Sequence, residues 1–373
     1  MPNSLDQRNI FMTGATGFFG SRLLKVILDS SQSHLFLLIR PRKKQTSIPR
    51  LKSALSGITS DARIEDYLKR ITIVEGDIAK EGLGMDGDRL KEIAKDIDLI
   101  YHLAADVNIG NSDEGIRVVN AYGTQNVLEF ASMCKTYGRL KKLCHVSTAY
   151  VVGTKGKSDI VFREDDLAIS QGFNNTYEES KYEAELAVND YRKKGLAVDI
   201  YRPSILTDSI PVVDYEFLSG LFRPFHFIIS GTFDKIPVYG NTKFNVVSAE
   251  DAAKAVSLIS LSTNGKGRNY HIVNNSELPF DHALDIAQEV FELKRPARVP
   301  LEDFDMNSLT GIQRQMVGPF IPYFNFKARF DSRNADKVLK DKGFCYNSLR
   351  DDEVRSVFKY MRERMAQHRY VSV

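Results

Sequence analysis

In Asn9-Ile10-Phe11-Met12-Thr13-Gly14-Ala15-Thr16-Gly17-Phe18-Phe19-Gly20 an apolar run passes into a GxxGxxG loop, and Ser21-Arg22-Leu23-Leu24-Lys25-Val26-Ile27-Leu28 follows with helical spacing. The order is strand, tight turn, helix. Such a turn presents backbone N–H groups that lack intrahelical partners, together with the positive end of the helix dipole. Glycine suits it because a Cβ would obstruct the turn, the approach of a phosphate and the packing of helix on strand. A glycine-rich turn with no ligand is the alternative for the motif in isolation, but its placement between a strand and an amphipathic helix meets the context that pyrophosphate binding demands. The expectation is a dinucleotide site using Gly14, Thr16, Gly17, Phe18, Phe19 and Gly20.

Outward from this loop, short apolar runs alternate with longer amphipathic ones over the first 200 residues, which is the signature of βαβ units and a parallel sheet. Strands are expected near 8–13, 34–39, 71–75, 98–103, 142–147 and 197–201, and helices near 18–30, 84–96, 113–137 and 175–194. The long connection from Pro41 to Arg70 is expected to hold helices around Ser47–Leu55 and Asp61–Leu68. After Arg202-Pro203 the pattern changes: Tyr215, Phe217, Phe222, Phe225, Phe227 and Phe233 cluster among Gly220, Pro224, Gly231 and Pro237. Irregular aromatic-rich backbone suits a pocket wall or lid, although the same rings would equally fill a subdomain core. A helix near 249–260 and a strand near 269–273 are expected to return to the sheet, followed by helices near 280–293, 301–314, 331–341 and 351–368. The fold class is therefore α/β: a Rossmann-like doubly wound parallel sheet with a smaller, mostly C-terminal substrate subdomain. Residues 1–203, with part of 244–275, form the dinucleotide-binding domain, and 204–243 with 276–373 form the subdomain.

With 373 residues, 43% hydrophobic and 27% charged, the chain has the composition of a globular protein with a sizeable core and is unlike a disordered or fibrous one. Only about nine residues precede the first strand, which leaves no room for a signal peptide, and no apolar stretch reaches the roughly 18 residues of a membrane span; a cytoplasmic protein is expected. Cys134, Cys144 and Cys345 are scattered without CxxC spacing, which argues against a disulfide framework or a zinc site, and no metal is expected. A net charge of +3 is too small to imply nucleic-acid binding, although Arg40-Pro41-Arg42-Lys43-Lys44 is a local basic cluster.

That cluster bears on the choice of dinucleotide. An acidic residue at the end of the second strand would hydrogen-bond the ribose hydroxyls of NAD, whereas arginine accommodates the 2′-phosphate of NADP. Strand two ends in Leu37-Leu38-Ile39-Arg40, and Arg42, Lys43, Lys44 and Arg50 follow with no Asp or Glu before Arg50. NADPH is expected, with Arg40 the principal phosphate contact and Arg50 beside it; a solvated basic loop is the competing reading. Asp77 and Ile78 of Gly76-Asp77-Ile78 are placed to reach the adenine edge, and Ala104 and Ala105 are small where the dinucleotide would lie.

A second motif is Tyr177-Glu178-Glu179-Ser180-Lys181, a YxxxK at the start of a long helix, whose i, i+4 spacing stacks both side chains on one face. A lysine ammonium near a tyrosine hydroxyl favours the phenolate, so a lowered pKa is expected for Tyr177. Alone YxxxK is common on helix surfaces. Here it lies downstream of the glycine loop and of a strand ending His145-Val146-Ser147-Thr148-Ala149-Tyr150, whose hydroxyls could donate to a substrate oxygen.

Taken together, TGATGFFG, GDI, YHLAA, Asn120-Ala121-Tyr122-Gly123-Thr124, HVSTAYVVG, YEESK and YRPS resemble, in order over residues 9–204, an extended short-chain dehydrogenase/reductase. Among its subfamilies the chain looks most like the thioester and fatty acyl-CoA reductases, male-sterility-type NAD(P)-binding proteins whose reductase domains also end carboxylic acid reductases and some peptide synthetases. The pointers are Phe18-Phe19 after Gly17, the LLIRP strand with its basic insertion ending Pro49-Arg50-Leu51, and HVSTAY. The match beyond Thr207 is in outline only. The resemblance implies Tyr177 as proton donor, Lys181 as its pKa modulator and ligand of the nicotinamide ribose, and Thr148, five before Gly153, as the hydroxyl holding the carbonyl oxygen. Ser147 competes with Thr148 and otherwise supports the strand end. Asn120 is implied as a backbone anchor, and Pro203 and Ser204 as the loop passing the nicotinamide carboxamide. His102 and His145 read as core residues, and Asp165-Asp166 as solvated loop charges.

The implied reaction is NADPH-dependent reduction of an acyl thioester, on coenzyme A or a carrier protein, to an aldehyde, with a second reduction on to the alcohol left open. Lys141-Lys142, Arg192-Lys193-Lys194 and Lys294-Arg295 are candidates to attract coenzyme A phosphates or an acidic carrier surface, against solvated faces. Nothing in 373 residues accommodates an adenylation segment or carrier domain as well, so an already activated acyl group is expected. Two rival readings stay open: the same fold acting on a free ketone, aldehyde, secondary alcohol or nucleotide sugar, and a non-catalytic NADPH-binding sensor or scaffold. The oligomeric state is open.

Overall fold

Seven strands form one parallel sheet in the computed structural model of the chain: β1 (Asn9–Thr13), β2 (His34–Ile39), β3 (Ile71–Glu75), β4 (Leu99–His102), β5 (Lys142–Val146), β6 (Val198–Pro203) and β7 (Asn269–Ile272). The structure describes residues 7–41, 46–107, 113–207, 235–237, 242–262, 267–274, 278–292, 296–300, 303–311, 314, 318–347 and 350–369. In space the strands run β3-β2-β1-β4-β5-β6-β7, so the chain winds outward from β1 to β3 and returns to β4 on the other side. The switch point falls between β1 and β4, where open α/β sheets bind ligands at the strands' carboxyl ends. Thr13 opposes His102, His102 opposes His145 and Val146 opposes Tyr201, which aligns four strand ends along one edge.

Every residue of β4 and β5 is buried, as strands covered on both faces require. Alternate residues serve opposite layers. Met12, Tyr101 and Cys144 pack towards α1 (Phe18–Ser30) and the helix Ala249–Ser262, whereas Phe11, Ile100 and Leu143 face the other side. There they meet the helices Gly87–Asp96 and Gly123–Tyr137 and the helix α2 of the site, Thr176–Lys193. A separate apolar cluster includes Phe244, Leu278, Phe280, Ile321, Phe324 and Phe358 from the C-terminal part.

The α/β class and the doubly wound sheet agree with the sequence reading. The two helices expected in the long connection form at Ser47–Ser56 and Asp61–Leu68. The helix expected over 301–314 is interrupted: Met306–Ser308 makes a single 3-10 turn, Leu309 is extended at φ −80°, ψ 138°, and helical residues reappear at Gly311 and Arg314, the Arg314 N–H donating to the Thr310 carbonyl. Asp305 accepts from the Asn307 N–H and Ser308 Oγ donates to the Asp305 carbonyl, local bonds that compete with a helical ladder. The aromatics from Tyr215 to Phe233, and Arg42, Lys43 and Lys44, lie outside the described residues.

Candidate active site

The glycine loop joins β1 to α1 as the motif requires. Gly14 has φ +76°, and a Cβ there would lie 2.6 Å from the Ala104 nitrogen at the end of β4. A Cβ on Gly20 would lie 2.0 Å from the Gly14 carbonyl oxygen. The loop is therefore a cradle kept open by missing side chains. Gly17 is the N-cap of α1 with no side-chain cap and no acidic residue in the first turn, so no side chain neutralises the helix dipole where it faces the sheet edge. This geometry fits a pyrophosphate. Phe18 is held by Arg22, whose guanidinium lies 3.9 Å from the ring centroid and donates to the Phe18 carbonyl; Arg22 is buried, and no motif signals it.

At the end of β2, Arg40 is exposed, and Arg50 Nη1 donates to its carbonyl oxygen at 2.8 Å, which brings both cations to one corner. Asp77 is half-buried with Oδ1 accepting from the Ala79 N–H. Ile78 is buried, its carbonyl accepting from Asn126 and its side chain filling the space that a Cβ at Gly123 would need. Ala104 and Ala105 are half-buried beyond β4. Thr16 is half-buried and Phe19 packs into the core.

A directional hydrogen-bond chain ties the glycine loop to the far side of the sheet. Ala104 N–H donates to Thr13 Oγ1, and Thr13 lies 2.8 Å from His102 Nδ1; His102 Nε2 lies 2.9 Å from Thr124 Oγ1, whose proton goes to the Asn120 carbonyl. Because Thr124 spends its proton on Asn120, it accepts from His102 Nε2–H, and Nδ1 accepts from Thr13. His102 is thus a neutral structural tautomer: burial holds its pKa down to about 3, with the Lys181 charge adding to the effect. His145 is wholly buried beside it, with ring centroids 5.3 Å apart, and burial and Lys181 hold its pKa well below 6.5 as well.

α2 of the site starts at its Asn175 cap and carries Tyr177 and Lys181. Lys181 is buried and donates from Nζ to the Val146 carbonyl at 2.7 Å, which brings the helix to the end of β5, two residues before Thr148. Thr148 Oγ1 accepts from the Tyr150 N–H and keeps its own proton to donate. Ser147 Oγ and Ser204 Oγ, at the ends of β5 and β6, are buried with no partner among the described residues, polar groups of the kind a bound ligand satisfies. Pro203 closes β6. Asn120 bridges elements: Oδ1 accepts from the Asp106 N–H, and Nδ2 donates to the Asp106 carbonyl and to Ser180 Oγ, which saturates its amide.

The tyrosine's titration differs from expectation. Burial, with a smaller contribution from the Glu178 carboxylate, pushes Tyr177 up to about 12. Burial lowers Lys181 itself to about 8. A group that must enter a reduction as a proton donor is kept protonated by such an environment.

Two further expectations need correction. Lys142 is no ligand cation: it is buried against Asp199 at 2.9 Å, at the amino end of β5 and so on the edge opposite the site. Arg192 is likewise committed, to the Val198 and Arg268 carbonyls. Cys345 is exposed, whereas Cys134 and Cys144 are buried thiols. Beside the solvated Asp165, Glu164 is a buried carboxylate that accepts from the N–H groups of His271, Asn334 and Ala335, a role no motif signals. The buried pair Arg202–Glu185, at 2.7 Å, pins α2 to β6. Among the described residues no His, Cys, Asp and Glu cluster could hold a metal ion, and no helix is long and apolar enough to cross a membrane.

A family model described as "Male sterility protein", an NAD-binding family, matches residues 12–256. Curated relatives include a linear gramicidin synthase polypeptide of Brevibacillus parabrevis, 27% identical over 76% of this chain and 6% of that protein. L-2-aminoadipate reductase of Saccharomyces cerevisiae is 27% identical over 70% of this chain and 20% of its own length, and fatty acyl-CoA reductase wat of Drosophila melanogaster is 27% identical over 53% and 43%. The chain thus spans less than half the length of these relatives. In structure it is similar to the terminal R domain from the myxalamid PKS-NRPS pathway, with TM-score 0.79, 22% identity and coverage of 96% of this chain and 91% of that one. It is also similar to a thiolation-reductase di-domain from an archaeal non-ribosomal peptide synthetase, with TM-score 0.77, 23% identity and coverage of 95% and 75%. These structural likenesses establish the fold.

Proposed function

The chain belongs to the Male sterility protein family, and on that premise we propose that it is an NADPH-dependent reductase of acyl thioesters, releasing an aldehyde. The observation that carries this reading is the convergence on one sheet edge of an unneutralised glycine cradle and a Lys181-anchored helix bearing Tyr177. We assign residues 1–203 with part of 244–275 to the dinucleotide-binding domain, and 204–243 with 276–373 to the substrate subdomain, supported by the separate C-terminal apolar cluster. Gly14, Thr16, Gly17, Phe18, Phe19 and Gly20 would hold the pyrophosphate, Arg40 and Arg50 the 2′-phosphate, Asp77 and Ile78 the adenine side, and Lys181 the nicotinamide ribose. Ala104 and Ala105 would leave room along the dinucleotide, Asn120 would anchor the backbone beside it, Ser147 would support the strand end, and Pro203 and Ser204 would pass the nicotinamide carboxamide. When bound there, NADPH supplies the hydride that the thioester carbonyl carbon receives.

The chain's own groups act on the oxygen. Thr148 and Tyr177 donate hydrogen bonds to it as negative charge develops, a preorganised stabilisation in which one donor is worth about 10²–10³ in rate. Tyr177 then transfers its proton, giving a hemithioacetal that collapses to aldehyde and thiol. The Lys181 ammonium steadies the resulting phenolate. Both coenzyme A and a carrier protein's phosphopantetheine arm present the same thioester chemistry, and relatives of both kinds occur. The test is NADPH oxidation with acyl-coenzyme A, acyl-carrier protein, aldehyde and ketone substrates, beside Tyr177→Phe. Turnover of ketones without any thioester would overturn the proposal.

A further inference from the structure

The turn that presents Tyr177 is held from far along the chain. Glu178 is 1% exposed, and a buried carboxylate is costly unless hydrogen-bonded. Its donors are the Asn174 N–H at 2.9 Å, the Asn174 amide at 3.0 Å, and the hydroxyl of Tyr323 at 2.6 Å. Asn175, the helix cap, donates from Nδ2 to the same Tyr323 oxygen at 2.8 Å and accepts from the Glu178 N–H through Oδ1. Tyr323 belongs to the C-terminal segment Gly318–Asn325. Its ring meets Tyr150 edge-on at 5.4 Å, and Phe326 packs on the same Tyr150 at 5.2 Å. Lys327 and Ala328 then donate their N–H groups to the Gly156 carbonyl. One C-terminal segment therefore grips both elements that carry the reacting hydroxyls: the turn after Thr148 and the first turn of α2.

We infer that Tyr323 is a positioning residue, a strut that sets the spacing of Tyr177 relative to Thr148 through Glu178 and Tyr150. The inference rests on the reductase reading above. A cap alone would need no partner 148 residues away, because Asn175 already bonds the Glu178 N–H. A phenol donating to a buried carboxylate at 2.6 Å adds a charge-assisted bond that restrains the turn.

The experiment compares Tyr323→Phe, Glu178→Gln and wild type by steady-state kinetics, NADPH titration, thermal unfolding and amide hydrogen exchange of the unliganded protein. Tyr323→Phe keeps the ring contact with Tyr150 and removes only the hydroxyl. It is expected to lower kcat about tenfold or more, the scale of one hydrogen bond to a charged group, and to raise exchange across 175–181. KM for NADPH should stay within about twofold and Tm within about 3 °C. Glu178→Gln keeps an acceptor for the Tyr323 hydroxyl but sets an NH2 against the Asn174 N–H, so exchange across 175–181 should rise in this variant too. The inference is overturned if Tyr323→Phe leaves kcat and exchange unchanged, or if kcat, NADPH affinity and Tm all fall together. Should wild type reduce no carbonyl substrate, the functional reading fails, and the exchange comparison still decides whether Tyr323 holds the turn.

Discussion

Two helices begin at the same edge of the sheet and begin in opposite ways. α1 starts at a bare glycine, with no capping side chain and no acid in its first turn. The helix from Thr176 starts at Asn175, carries Glu178 and Glu179 in its first turn and is gripped by Tyr323. Both have the same N-terminal N–H groups and the same dipole to dispose of. The first sets no capping side chain and no first-turn acid against them, which suits an anionic ligand. The second caps the Glu178 N–H with Asn175 and places two acids in its first turn, which suits a side chain that must stay still. How a helix N-terminus is neutralised thus distinguishes a binding end from a positioning end.

The largest effect is expected from closing the open end by force. In Gly20→Ala the new Cβ would meet the Gly14 carbonyl oxygen at 2.0 Å, a backbone atom that cannot swing aside, so a loss of about 3 kcal/mol or more in chemical denaturation is expected, with NADPH binding lost. Tyr177→Phe comes next: turnover should fall about 10²–10⁴-fold while NADPH affinity, read by fluorescence titration, is retained. Unchanged turnover would remove Tyr177 from the chemistry. Gly17→Asp converts the first helix start into the second kind. Gly17 has φ −83°, ψ 169°, which aspartate adopts freely, so a cap worth roughly a few tenths of a kcal/mol over glycine should form while the carboxylate repels pyrophosphate. A Gly17→Ala control separates charge from the 3.2 Å approach of a Cβ to the Gly14 oxygen. Equal NADPH affinity in the aspartate and alanine variants would refute the anion-site reading.

The smallest effect concerns pH. Lys181 loses its proton near pH 8 in the fold but only at its ordinary, higher pKa when unfolded, so the ammonium proposed to support Tyr177 is present below about 8 and lost above it. The reduction rate should therefore decline above pH 8 with a one-proton slope, and Lys181→Arg should remove that limb. Above the folded pKa the unfolded chain binds more protons, so Lys181 makes the protein more stable as pH rises from about 8 towards its unfolded pKa. A rate that stays flat to pH 10 would exclude control by Lys181.

Much of the fold is legible in the sequence because its signals are local. Six strand runs, the glycine loop and the YxxxK spacing are each specified within a few residues, by apolar periodicity and by the absence of a Cβ. The spacing over 301–314 reads as one helix, but the local bonds of Asp305, Asn307 and Ser308 hold a 3-10 turn in its first part. Lys142 escapes a sequence reading because a lysine looks alike there whether solvated or buried against Asp199.

The sequence by itself determined the dinucleotide cradle, the parallel sheet and the pairing of Tyr177 with Lys181 on one helical face, all consequences of short-range geometry. Only the tertiary structure decided where the charges settle: Lys181 on the Val146 carbonyl, Arg202 on Glu185, and Tyr323 on Glu178. Those partners lie 17 to 145 residues apart in the chain, and burial, which sets their protonation and their strength, exists only once the chain has folded.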